Sequence, residues 1–240
     1  MQEVRQRLVR RDPDSSGCVG DLTDTCKRRR DTAIFPGLKK PAMTAPHSYL
    51  GEHYLMYFIV PLWLAAGVAD WICHRRAHIE RTSGPKESLI HLLMLAEMGL
   101  PILAALFLEV NAAVFILMIT CFFLHEITSL WDVAYASKTR IIPPIEQHIH
   151  SFLEMLPLMA ISMMALMHWE QFTALFGFGG ASADFALTLK AVPVPRQYVV
   201  WLLCAVVVFE LLPYAEELHR TWRSRRLHEK PKHDGGDEDR

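Results

Sequence analysis

Residues 88–136 read SLIHLLMLAE MGLPILAALF LEVNAAVFIL MITCFFLHEI TSLWDVAYA. Two apolar runs, 88–109 and 111–136, meet at Glu109-Val110-Asn111. Each is close to the ~20 residues that cross a hydrocarbon core, so together they predict a tight membrane hairpin. Working outward, 54–73, 146–168 and 197–219 are runs of the same kind. The fold class predicted is all-α, an integral membrane bundle of about five transmembrane helices. Most of the six tryptophans fall near span ends, as an aromatic belt requires.

The chain is 51% hydrophobic yet 21% charged, because the charges gather at the ends and in a few loops. Residues 1–42 are polar, carry the run Lys27-Arg28-Arg29-Arg30 and lack an apolar stretch, so they predict a disordered segment. Met43, just before the first span, reads as an alternative start. The organisation expected is a segment at 1–42, a transmembrane metal-binding domain at 43–224 and a polar tail at 225–240. Net charge is −1, which gives no nucleic-acid footprint. The five cysteines are scattered without a CxxC pair, so neither a disulfide framework nor a thiolate zinc site is expected.

Basic residues in short loops set orientation. Arg75, Arg76, Arg81 and Lys86 lie in the first loop, Lys138 and Arg140 in the third, and Arg220, Arg223, Arg225, Arg226, Lys230 and Lys232 follow the fifth span. Loops one and three and the C-terminus are therefore expected inside, in a bacterial inner membrane. Arg140 reads as one of these topology-setting charges.

Most of the ionisable residues in or beside the spans are expected in that same, cytoplasmic half of the membrane. Asp70, His74 and His78 close the first span; Glu87 and His91 open the second, with Glu97 deeper. His125, Glu126 and Asp132 lie in the third. Glu146, His148, His150 and Glu154 open the fourth. One ionised group at the bilayer centre costs roughly 2.5–3.5 kcal/mol on insertion scales, so these side chains must face inward and share partners. A bound metal is an economical partner for imidazole and carboxylate together. Residues four apart share a helix face, which groups Asp70, His74 and His78, Glu87 with His91, and Glu146 with His150. His125 and Asp132 occupy one stripe.

An internal repeat divides this set. Pro85-Lys-Glu87-Ser-Leu-Ile90-His91 matches Pro144-Ile-Glu146-Gln-His-Ile149-His150, and further on Glu97 corresponds to Glu154. The bundle is thus expected to rest on two similar hairpins that bring Glu and His from four helices to one centre, the logic of di-iron helical bundles. The ligands expected are Asp70, His74, His78, Glu87, His91, His125, Asp132, Glu146 and His150. Glu126, His148, Glu154 and Glu97 are expected as alternatives or as groups that orient ligands. Glu216, Glu217 and His219 read as a solvated helix end.

The box His74-Arg-Arg-Ala-His78 and the later His148-Ile-His150 resemble the membrane-bound, histidine-rich non-haem di-iron group of fatty-acid hydroxylases and desaturases. The HxxHH boxes of that group are absent, and the resemblance covers only about 70–154. It implies two iron ions, oxygen-dependent hydroxylation or desaturation of a lipid-like substrate, and an electron donor. Zinc or manganese also accepts such ligands. Two rival readings stand beside it: a zinc-dependent membrane hydrolase, and a metal or proton transporter that uses the same residues as a relay.

Overall fold

A computed structural model describes residues 46–228. The expected disordered segment at 1–42, the alternative start at Met43 and the end of the tail lie outside the described residues. The helix that carries the fifth span runs on to His228, so the beginning of the expected polar tail, 225–228, is helical.

Helix α1 covers 46–77 and contains a π-helical turn at Leu55–Ile59. Helix α2 is Pro85–Phe107, α3 is Ala112–Thr139, α4 is Pro144–Met167 and α5 is the short Trp169–Leu175. Helix α6 covers 196–228 and carries a second π turn at Val207–Leu211. All but α5 contain a stretch long and apolar enough to cross a membrane. At 1.5 Å per residue, α2 alone is about 34 Å long, against a hydrocarbon core of about 30 Å.

The boundaries follow from local chemistry. Pro85 and Pro144 sit in the first turn of α2 and α4, where a missing N–H costs nothing and φ is preset. Asn111 caps α3, its side-chain oxygen accepting from Ala113 N and Val114 N. Helix α1 ends at Ala77 because His78 takes a left-handed conformation, φ 53°, a geometry uncommon outside glycine.

The α1–α2 and α3–α4 hairpins interlock: α1 packs on α4, α2 on α3, and α6 closes the side formed by α1 and α2. The two ends of the bundle differ. Near the 108–111 turn the core is apolar, built on Phe115, Val114, Met118, Ala104 and Met164. At the other end, where α1 and α3 finish and α2 and α4 begin, the buried side chains include Asp70, His74, Glu87, His91, Asp132, Glu146, His150 and Glu217. Meanwhile Leu130, Ile127, Leu166 and Trp201 point outward, the inside-out pattern of a helix bundle in lipid.

Candidate metal centre

Asp70 lies seven residues from the end of α1 and Asp132 seven from the end of α3; His91 and His150 lie six from the starts of α2 and α4. At 1.5 Å per residue all four reach about 9–10 Å into the bundle, so four helices deliver them to one level. There they pair across the hairpins. His150 Nε2 is 3.3 Å from Asp70 Oδ1, and His91 Nε2 is 3.4 Å from Asp132 Oδ1. Exchange of the hairpins turns the first pair into the second, so the sequence repeat reappears as a pseudo-two-fold arrangement.

Two further imidazole contacts complete the layer. His74 Nε2 lies 3.5 Å from Asp70 Oδ1 and 3.6 Å from Glu146 Oε1. The rings of His74 and His91 are stacked, with centroids 4.3 Å apart and planes 6° from parallel. Their Nδ1 atoms turn the same way and meet one carboxylate: Glu217 Oε2 is 3.2 Å from His74 and Oε1 is 3.0 Å from His91. Glu217 thus fixes both rings and leaves both Nε2 atoms facing the aspartates. His74 Nε2, His91 Nε2, Asp70 Oδ1, Asp132 Oδ1 and Glu87 Oε2 are buried with no hydrogen-bond partner.

Among the described residues, three groups have ligand atoms close enough to share one cation: Asp70, His74 and His150; Glu87, His91 and Asp132; and His74, His91 and Glu217. The first two share no residue. The third uses the Nδ1 edge and bridges them. The residue types, imidazole with carboxylate and no thiolate, suit iron, zinc or manganese.

Arg140 closes the cluster from the loop. Its guanidinium donates to Glu87 at 2.6 Å and to both oxygens of Glu146, so one cation clamps the two glutamates of the repeat. Burial works against this charge, but the hydrogen bonds to Glu146 and Glu87 hold the guanidinium above its ordinary range. Arg140, read from the sequence as a topology-setting charge, is thus also a member of the cluster; its side chain is 5% exposed.

The expected ligands divide accordingly. Asp70, His74, Glu87, His91, Asp132, Glu146 and His150 come together. His78 does not: the left-handed turn carries it out of the helix, and its exposed ring pairs with Glu80 at 3.2 Å. Nor does His125 join this layer. It is buried deeper along α3, its Nδ1 3.9 Å from Glu97 Oε2. In that deeper layer Thr128 donates to Glu97 at 2.9 Å and Ser129 to Glu154 at 2.7 Å, so the second pair of repeat glutamates is also tied to α3. Glu126 is half-buried beside them, one of its oxygens unpartnered. His148 is exposed and meets Phe152 edge-on, because two residues along a helix reverse the face.

Sequence reasoning missed Glu217, which is fully buried rather than solvated. A signal existed: Glu210, Tyr214, Glu217 and Thr221 recur at intervals of four, three and four, the inward stripe of a helix, and all four are buried. The solvated end is carried instead by Glu216, which meets Arg75 and Arg220 at the rim. Comparison with protein-family models, with curated proteins and with solved structures finds no match to this chain, so its chemistry is read from these side chains alone.

Proposed function

We propose that this protein is a membrane-embedded, two-metal oxidoreductase of the di-iron type, which hydroxylates or desaturates a lipid-like substrate. The observation that carries the proposal is charge. Within the cluster Asp70, Glu87, Asp132, Glu146 and Glu217 are five buried carboxylates, Glu210 being a sixth outside it on α6, and among the described residues Arg140 is the guanidinium that meets the cluster. With neutral imidazoles, four negative charges remain, which two divalent cations neutralise. An unpaired buried charge is far too costly to keep, and metal ligation requires neutral imidazole and ionised carboxylate.

In this reading one ion lies with Asp70, His74 and His150, the other with Glu87, His91 and Asp132. Glu217 orients His74 and His91, and Arg140 holds Glu87 and Glu146 in place. Mixed oxygen and nitrogen ligation is the donor set of oxygen-activating iron. Such a centre supplies oxygen activation when loaded, and an external donor supplies electrons. In the same reading the bundle end that holds the cluster faces the cytoplasm, the side the basic loops favour, and the substrate enters from the bilayer. The test is iron-loaded protein in liposomes of defined lipid, given a chemical reductant and oxygen. The expected result is lipid product heavier by one oxygen or lighter by two hydrogens, abolished by His91→Ala. Iron-loaded protein that consumes no oxygen and alters no lipid contradicts it.

A second reading has its own observation. Glu97, His125 and Glu154 continue the polar path inward from the cluster, and a chain of such groups across a membrane is a mark of transport. Metal or proton flux into proteoliposomes, blocked by Glu97→Gln, would favour a transporter. Zinc as the bound metal, with ester or amide cleavage, would favour a hydrolase.

A further inference from the structure

A small cavity lies between the two residue clusters and α6. Its volume is about 30 Å³, and its wall includes Asp70 of one cluster, His91 of the other, His125, Glu210, Tyr214 and Gly67. One water needs about 10–15 Å³ measured this way, so the space takes two or three heavy atoms and excludes a lipid chain. Asp70 Oδ1, His91 Nε2 and both ring nitrogens of His125 are buried atoms without hydrogen-bond partners. All three residues line this cavity; the two ions account for Asp70 and His91, and a small polar or metal-bound ligand would give the His125 ring a partner.

Glu210 makes one wall. It sits in the apolar run Val206-Val207-Val208-Phe209-Glu210-Leu211-Leu212, is buried and belongs to neither cluster. Its carboxylate presses on Gly67, where an added Cβ would fall on the carboxylate oxygens. Gly67 is therefore the residue that lets the acid reach the cavity. The turn carrying Glu210, Val207–Leu211, is π-helical, a feature that recurs at functional sites.

Building on the two-ion reading, we propose that this cavity is the chamber in which a small exogenous ligand, the size of water or dioxygen, reaches both ions, and that Glu210 is a positioning residue that shapes and polarises it. The substrate chain then approaches the chamber without entering it.

The probe is azide, titrated into cobalt(II)-loaded protein and read by visible absorption. Wild type is expected to show a saturable azide spectrum and no response to imidazole, whose ring is too large. Gly67→Ala, which takes up the space, is expected to raise the azide dissociation constant at least tenfold with two cobalt ions still bound. Gly99→Ala, with open space around its Cβ position, should leave it unchanged. Glu210→Ala widens the same wall and should admit imidazole, which keeps the proposal testable if Gly67→Ala fails to fold. Unchanged azide affinity in Gly67→Ala, or an imidazole response in wild type, overturns the chamber. Fewer than two cobalt ions in wild type overturns the two-ion reading beneath it.

Discussion

Glu217→Gln tests the architecture of the centre without touching the atoms that face the ions. The amide keeps the size of the carboxylate but loses its charge, and its nitrogen cannot accept a hydrogen bond. In the structure one carboxylate accepts from two imidazoles, His74 at 3.2 Å and His91 at 3.0 Å, so the substitution leaves both rings without an anionic acceptor and one of them without any. Removing such an outer partner typically lowers metal affinity 10–100-fold, or about 1.4–2.8 kcal/mol at 1.4 kcal/mol per tenfold. Because His74 serves one ion and His91 the other, both dissociation constants should rise. The assay is competition for zinc or cobalt against a chromophoric chelator in detergent, with His91→Ala as the reference for outright loss of an ion. Glu217→Gln binding both ions within twofold of wild type, while His91→Ala loses one, would refute the orienting role.

Arg140→Ala strips Glu87 and Glu146 of their shared cation; breaking a buried pair costs about 3–5 kcal/mol, so metal-free protein should melt much lower, and added divalent metal should recover most of the loss. Equal destabilisation with and without metal would separate Arg140 from the ion sites. His78→Ala should leave metal content unchanged and shift stability by no more than about 0.5 kcal/mol, as for an ordinary surface substitution; loss of an ion in elemental analysis would contradict its exclusion. At the opposite end, burial first and the Lys190 ammonium next push His168 below its ordinary value, against the pull of Glu109. A depressed imidazole gives stability that is full above its unfolded value of about 6.5 and is lost as pH falls below it. Melting of His168→Gln should therefore fall less than wild type between pH 7.5 and 5.5; parallel curves would show that His168 carries none of the pH dependence.

Much of this was legible because a membrane leaves few options. The apolar runs near 88–109 and 111–136 could only be spans, and their meeting point at Asn111 is the helix cap observed. The Pro-x-Glu-x-x-Ile-His repeat placed Glu87, His91, Glu146 and His150 on inward faces, since four-residue spacing survives in any regular helix. His78 failed for a local reason: the HxxxH spacing assumes a helix that continues, and this one ends at Ala77. His125 failed because seven residues along α3 keep the face but add about 10 Å of depth, which moves it to another layer. Glu217 and Arg140 were hidden by context. A charged residue near a span end reads as solvated unless the partners that bury it are known, and those partners, His74, His91, Glu87 and Glu146, are far away in sequence.

The central claim is that Asp70, Glu87 and Asp132, with His74, His91 and His150, hold two cations. Metal counted by mass spectrometry against protein concentration, after reconstitution and removal of excess ion, tests it most directly. Two ions per chain are expected, falling to one in Asp132→Asn and to one in Asp70→Asn. Retained metal that is the same in wild type and in both variants, or no stoichiometric metal in wild type, would contradict it.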